Sequence, residues 1–523
     1  MSSWQQAETF SARWEHAIAA RPNEPFLVFE APDGRVTEWT YSSFDALVGR
    51  VAHGLTERGA NTGSAIHLAL ANSPAFVAVW IAAIRMGAWI VPSDPFGAAP
   101  ELAEHISRTS PAVGVCAKAR RGEYFKAKPS MPVIELDESD VELEIFGHET
   151  SSSWPKIALT DRAAVMFTSG TTGRPKGVVI SQANYSFAGK TMSEAAGLQK
   201  HHRQLVVLPM FHANAQYYSF ASAIWAGASV ALMHTFSASQ FLTQAARHRA
   251  THGSLFAAPI RMILGRGATP VSGVALEHCW YAMNISRNQY ETLSVLLGCK
   301  PRQLYGMTET IPAVLTDGLP SPDPLSMGSV TKGCEVDIRD ADGKSAAPGT
   351  VGEVVVRGES GITLFVGYLD DPATTAAAFA DGWFLTGDRA KRDSNGSYYF
   401  DGRRQDVLKV AGENVSTVEV EIVLSSHPQI LEAVVVGVPD PVRDEIPVAF
   451  VVATDKSNPP SVDELMEWCD ERLAKAKRPR FITIIDELPR TSVGKIRKFV
   501  LKELALQNSH GRLNHNQKHG VLQ

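Results

Sequence analysis

Short continuous apolar runs alternate with amphipathic stretches along most of the chain. Ala65-Ile66-His67-Leu68-Ala69-Leu70 and Trp89-Ile90-Val91 are runs of the first kind, and Ala75 to Arg85 between them carries apolar residues at helical spacing. Runs of this sort bounded by turn residues predict strands buried on both faces, and the helical stretches predict the crossovers between them. The rhythm recurs at Leu205–Leu208 before Pro209, at Ala228–Met233 and, with helical spacing, at Phe241–Thr251. It predicts an α/β fold of layered βα sheets, largely parallel.

The rhythm changes beyond residue 350. Val351–Gly358 and Gly396–Phe400 are short β runs bounded by glycine, which predicts a small β-barrel-like or meander region. After Gly402-Arg403-Arg404-Gln405 a compact α+β unit is expected. It has a helix near Val418–Ser425, strands at 433–436 and 448–452, a helix over Ser461–Lys475 and a strand at Phe481–Ile485. The expected organisation is a large N-terminal domain over 1–402, a small mobile lid domain over 403–505 and an Asn- and His-rich tail over 506–523 without periodicity, read as disordered.

At 523 residues the chain exceeds one ordinary core, and 44% hydrophobic with 20% charged residues is a globular composition. A formal charge of −5, spread along the chain, gives no sign of a nucleic-acid surface. The five cysteines are scattered without Cys-x-x-Cys spacing, which suits reduced thiols better than a disulfide framework or zinc site. Met1–Trp14 lacks the pattern of a signal peptide, and the most apolar stretch, Phe76–Pro92, is interrupted by Arg85. A cytoplasmic protein with no membrane partner, monomeric or homodimeric, is expected.

The chemistry concentrates in Thr168-Ser169-Gly170-Thr171-Thr172-Gly173-Arg174-Pro175-Lys176-Gly177, which follows the apolar Val165-Met166-Phe167. Hydroxyls and glycines let such a loop turn several donors toward one anion, and Lys176 adds a mobile charge, so the run has the makings of a polyphosphate cradle. It does not fit the Walker spacing. Further short motifs follow: Tyr305-Gly306-Met307-Thr308-Glu309, Asp388 at the end of Asp381–Asp388, Arg403 in Asp401-Gly402-Arg403, and Lys495 within Pro489–Lys498.

In order and rough spacing this set resembles the adenylate-forming superfamily of acyl- and aryl-CoA ligases, luciferases and peptide-synthetase adenylation domains. The resemblance implies an AMP-forming acid–CoA ligase that uses ATP, Mg2+ and coenzyme A. It implies that the 168–177 loop, Tyr305, Gly306 and Met307 bind ATP, that Thr308 contacts the α-phosphate and that Glu309 holds magnesium. Asp388 and Arg403 would meet the ribose and Lys495 would be the catalytic lysine. Gln405 would be the hinge of the lid, with Lys409, Gly412, Glu413 and Asn414 on the CoA side. Cations are needed around this chemistry because a carboxylate attacking the α-phosphorus brings two anions together. Two positions depart from the superfamily pattern. Gln405 stands where Asp or Lys is usual, and Val410-Ala411-Gly412 stands where relatives have Arg-Gly-Gly.

The acid pocket is expected around Phe211, His212, Asn214, Gln216 and Asn284. His212 stands where amino-acid-activating members carry an aspartate, which removes the anchor for an α-ammonium; it reads either as a gating residue or as a buried histidine. Phe211-His212 with Gln216, Asn284-Ile285-Ser286, Tyr305–Thr310, Gly412–Ser416 and Arg443-Asp444-Glu445 are most similar to crotonobetaine/carnitine-CoA ligase-like enzymes. Trp280, Tyr281, Tyr217 and Tyr218 could face a quaternary ammonium or form ordinary core. No acidic residue lies within Met210–Ser219 or Tyr281–Asn288 to pair with a buried cation, so a neutral aliphatic or aryl acid is expected. Two other readings stay open: an adenylating enzyme whose intermediate is trapped by a nitrogen nucleophile, and a non-catalytic homologue.

Overall fold

The computed structural model describes residues 8–151, 153–168, 175–318, 322–403, 406–490 and 496–516, with side chains as far as residue 507. Among these, three sheets carry the fold, with fourteen, seven and five strands.

The largest sheet has a parallel centre. Pro25–Glu30, Ser229–Met233, Arg203–Val206, His252–Phe256, His278–Ala282 and Arg302–Tyr305 lie side by side in that order. It continues as an antiparallel meander through Ser326–Val330, Tyr398–Arg403, Trp383–Arg392, Val351–Arg357 and Glu335–Arg339. The glycine-bounded runs beyond residue 350 are part of this meander. Parallel neighbours need helical crossovers, which is why the centre coincides with the region of βα rhythm.

The second sheet runs Lys176–Ser181, Arg162–Thr168, Trp89–Pro92, Ala65–Ala69, Val113–Ala117 and Val133–Leu136, with Gly367–Tyr368 at its edge. The helix Pro74–Met86 is buried along its whole length. Ser73 caps its start through Phe76 N–H, Pro74 occupies the first turn, and Gly87 ends it at φ 70°. Arg85 is tolerated there because its guanidinium pairs with Asp45 at 2.5 Å and lies over the Trp154 ring at 3.8 Å. No helix among the described residues is long and apolar enough to cross a membrane.

The third sheet, Glu413–Ser416, Val407–Val410, Asp444–Ala453 and Ile430–Asp440 with Phe481–Ile484 on Asp444–Ala453, forms the C-terminal unit with the helices Thr417–Ser425 and Val462–Arg472. Two of its strands, Ile430–Asp440 and Asp444–Ala453, are longer than the apolar runs at 433–436 and 448–452 that announce them, while Phe481–Ile484 ends one residue early. There are three further departures. The run Leu205–Leu208 is strand only through Val206, and beyond it Asn72 Nδ2 binds the Leu208 carbonyl at 3.0 Å. The helix from Phe241 ends at Arg247, and Arg249 two residues later has φ 50°. The helix Lys498–Asn516 runs well past residue 505, into the segment expected to be a disordered tail.

Candidate functional site

Arg203–Val206, His252–Phe256, His278–Ala282 and Arg302–Tyr305 are parallel neighbours, so their C-terminal ends open at one edge of the sheet. Open α/β sheets bind ligands at such an edge. The segments that leave it carry Phe211–Gln216, Asn284 and Tyr305–Glu309, which brings the expected acid pocket and the Tyr305–Glu309 motif to one place.

The loop after Val206 is pinned from below. Asn72 is buried, donates to the Leu208 and Met233 carbonyls and accepts Met210 N–H at 2.8 Å. Phe211 and His212 follow, half-buried, with ring centroids 4.3 Å apart. A π-helix over Asn214–Ala221 comes next, a rare element often found at functional positions. Asn214 is 5% exposed and neither atom of its amide has a partner among the described residues. Gln216 is occupied, since its Oε1 accepts the Tyr185 hydroxyl and its Nε2 donates to the Met210 carbonyl at 2.6 Å. It therefore holds the turn that follows Met210. Asn284 Oδ1 accepts from Gln303 Nε2 at 3.0 Å.

Of the four aromatics, Tyr281 belongs to the opposite face of its strand: it packs in the second core and its hydroxyl donates to the Pro324 carbonyl. Trp280, Tyr217 and Tyr218 are buried in the main core beside the pocket segments.

Tyr305–Glu309 joins two clusters. On one side Tyr305 donates its hydroxyl to Asp388 Oδ2 at 2.8 Å, while Asp388 Oδ1 lies 3.3 Å from Arg403 Nε, its direct cross-strand neighbour. Burial pushes the Asp388 carboxyl above its ordinary range, against the pull of Arg403 and Tyr305. On the other side Glu309, 4% exposed, accepts the Tyr368 hydroxyl at 3.1 Å, and Lys176 Nζ stands 4.7 Å over the Tyr368 ring. Gly306 is required between them: a Cβ there would lie 2.8 Å from Ala313 Cα and 2.9 Å from the Pro312 carbonyl. Met307 N–H is bound by Thr310 Oγ1 at 3.0 Å, which fixes the turn that presents the half-buried Thr308.

Thr168 and Lys176 face each other across the hairpin whose tip, Ser169–Arg174 with Gly170, Thr171, Thr172 and Gly173, lies outside the described residues. Gln405 and Lys495 lie outside them too. Lys409, Gly412, Glu413 and Asn414 are exposed on the hairpin Val407–Ser416, turned through Ala411 and Gly412 at φ 49° and 85°. Lys409 N–H binds Glu445 at 2.9 Å.

Sequence reasoning missed Asn72, Tyr368 and the pair Arg261–Glu432. None stands in a motif, and each is identified only by what folding sets beside it.

The AMP-binding enzyme model matches residues 14–369 and the AMP-binding enzyme C-terminal domain model matches 419–495. The chain is 32% identical to the crotonobetaine/carnitine–CoA ligase of Citrobacter koseri over 511 residues, covering 94% of this chain and 98% of that one. Its structure resembles the o-succinylbenzoate CoA synthetase of Bacillus subtilis in complex with an acyl-adenylate intermediate, with TM-score 0.82, 26% identity and coverage of 94% and 97%. It also resembles a benzoate CoA ligase from Burkholderia xenovorans, with TM-score 0.85, 24% identity and coverage of 95% and 100%. With both models matched in chain order and a relative at 32% identity covering 94% of it, this chain belongs to the AMP-binding enzyme family.

Proposed function

We propose that the protein activates a carboxylic acid with ATP and transfers the acyl group to coenzyme A. The observation that carries this reading is the convergence of two clusters, Tyr305–Asp388–Arg403 and Lys176–Tyr368–Glu309, on one five-residue segment at the open edge of the sheet. The first is an acceptor suited to a vicinal diol. The second sets a cation and a carboxylate against one tyrosine, Lys176 over its ring and Glu309 at its hydroxyl, which suits a polyphosphate and its counter-ion.

In the first half-reaction a substrate carboxylate oxygen attacks the α-phosphorus, a P–O bond forms, and pyrophosphate leaves with the electron pair of the broken P–O bond. Asp388 and Arg403 orient the ribose, Thr308 and the 168–176 loop orient the phosphates, and Lys495 draws the two anions together. Glu309 suits Mg2+, which binds through one or two carboxylates plus phosphate oxygens and would supply charge neutralisation on the phosphates. In the second half-reaction the CoA thiolate attacks the acyl carbon and AMP leaves. Lys409, Gly412, Glu413 and Asn414 serve this step after the C-terminal unit rotates about Gln405.

The relatives with carnitine in their name suggest a quaternary ammonium acid. The absence of any acidic residue within Met210–Ser219 and Tyr281–Asn288 favours a neutral aliphatic or aryl acid in this chain. A screen of pyrophosphate release from ATP across carboxylic acids tests the reading. Acid-dependent release is expected, and formation of ADP in its place would overturn it.

A further inference from the structure

Glu432 lies near the start of the strand Ile430–Asp440 and is 4% exposed. An ionised carboxylate is costly to bury unless both oxygens are paired. Here each oxygen has its own arginine, and the two come from distant parts of the chain. Oε1 accepts from Arg261 Nη1 at 2.5 Å, and Oε2 accepts from Arg490 Nη2.

Arg261 stands on the helix Ala257–Leu264, which leaves the same sheet edge as the pocket segments. Its Nη2 donates to the Asn284 carbonyl at 3.0 Å, and the Asn284 side chain is held in turn by Gln303. Arg490 stands at the base of the segment that carries Lys495 and forms a backbone bridge with Ile496 across it. One carboxylate therefore ties the proposed acid wall to the root of the proposed catalytic loop. A second tie lies one residue away, where Gln289 Nε2 donates to the Leu431 carbonyl at 2.8 Å. The hairpin with Lys409, Gly412, Glu413 and Asn414 is exposed in the same structure. The face of the C-terminal unit turned to the acid wall is thus the one that carries Leu431, Glu432 and Arg490.

We propose that Glu432 is a positioning residue for adenylate formation: through Arg261 and Arg490 it clamps the C-terminal unit to the acid wall for that half-reaction, and this clamp opens before acyl transfer. The inference rests on the function proposed above. Its physical basis is that a carboxylate bridging two guanidinium groups is directional, so the clamp sets an orientation as well as a contact. Placement errors of about 1 Å at a reacting centre cost about a hundredfold in rate. The clamp contributes only while the two faces are together, so its loss falls on one half-reaction.

The test compares both half-reactions in the full-length enzyme. Glu432→Gln is expected to lower acid-dependent pyrophosphate formation about 10- to 100-fold. Thioester formation from supplied acyl-adenylate and CoA should stay within about twofold of wild type, and Glu432→Asp should recover part of the loss. If Glu432→Gln does not fold, Gln289→Glu carries the test: it keeps the acceptor that Gln289 offers Ser286 N–H but sets a carboxylate against the Leu431 carbonyl, and the same half-reaction should fall. Equal losses in both half-reactions, or unchanged pyrophosphate formation, overturn the clamp alone. A wild-type enzyme that forms no adenylate from any acid overturns the functional reading and the clamp with it.

Discussion

Asp388→Asn is expected to separate nucleotide use from stability. Asp388 is 6% exposed and receives the Tyr305 hydroxyl on one oxygen and the Arg403 guanidinium on the other. Because burial holds its folded pKa above the unfolded value, the favourable contribution of this group is complete below the unfolded pKa and is lost as pH rises through the folded one. At neutral pH the native state therefore carries a cost for the ionised form, which Asn removes. Asn still offers one acceptor to Tyr305. The pair with Arg403, whose side chain is 52% exposed, is screened and contributes at most about 1 kcal/mol. These effects oppose each other, and stability should change by no more than about 1 kcal/mol. Nucleotide use should change far more. If Asp388 binds both ribose hydroxyls, Asn forfeits one charge-assisted hydrogen bond of about 1.5–3 kcal/mol, which lowers kcat/KM for ATP about 10- to 150-fold. Steady-state kinetics in ATP and thermal melts with and without ATP provide the assay. A kcat/KM within about threefold of wild type, or a loss accompanied by a collapsed melting temperature, would refute the assignment.

Four further outcomes are expected. Lys495→Ala should reduce pyrophosphate formation by about 10²- to 10³-fold while sparing transfer from supplied acyl-adenylate, and equal loss in both steps contradicts its role. Gln405→Pro should slow transfer and leave pyrophosphate formation near wild type, since proline fixes the torsion that a rotation needs; collapse of the first step would move the hinge elsewhere. A neutral tert-butyl acid should match or exceed its quaternary ammonium isostere in kcat/KM, and a preference of about tenfold or more for the cation would show that aromatic faces, not pairing carboxylates, decide the pocket. Burial lowers His67 and His278 to about 3 and His105 and His252 to about 4. Their folded pKa values lie below the unfolded one, so the unfolded chain takes up protons first. Stability should hold above about pH 6.5 and fall toward pH 4 by up to about 1.4 kcal/mol per pH unit per histidine. A melting temperature unchanged between pH 7 and pH 5 contradicts this.

The parallel centres of the two larger sheets are legible in the sequence because strands buried on both faces read as nearly continuous apolar runs, as at Ala65–Leu70 in the second sheet and Ala228–Met233 in the largest. Boundaries are less legible where a long-range contact decides them. Val207 and Leu208 continue the apolar run of Leu205 and Val206, yet the strand stops at Val206, and the Leu208 carbonyl is bound instead by Asn72, far away in the chain. The Tyr305–Glu309 motif is readable because its backbone constraints are local, including a glycine at 306 that no other residue could replace without a clash. Tyr368 and Glu432 are not readable, because a tyrosine at a strand edge and a glutamate entering a strand are ordinary until Glu309, Arg261 and Arg490 stand beside them. Gln216 shows the converse: its place in the pocket segment is visible in the sequence, while its engagement with Tyr185 and Met210 is not.

The most direct test is to follow ATP, AMP, pyrophosphate and acyl-CoA together, with an acid that supports pyrophosphate release, in the presence and absence of CoA. The account predicts that without CoA pyrophosphate appears in an amount limited to the enzyme present and AMP stays bound as the acyl-adenylate. With CoA, AMP, pyrophosphate and acyl-CoA should then form in equal amounts over many turnovers. Turnover that is the same without CoA, or that requires an amine in its place, would contradict it.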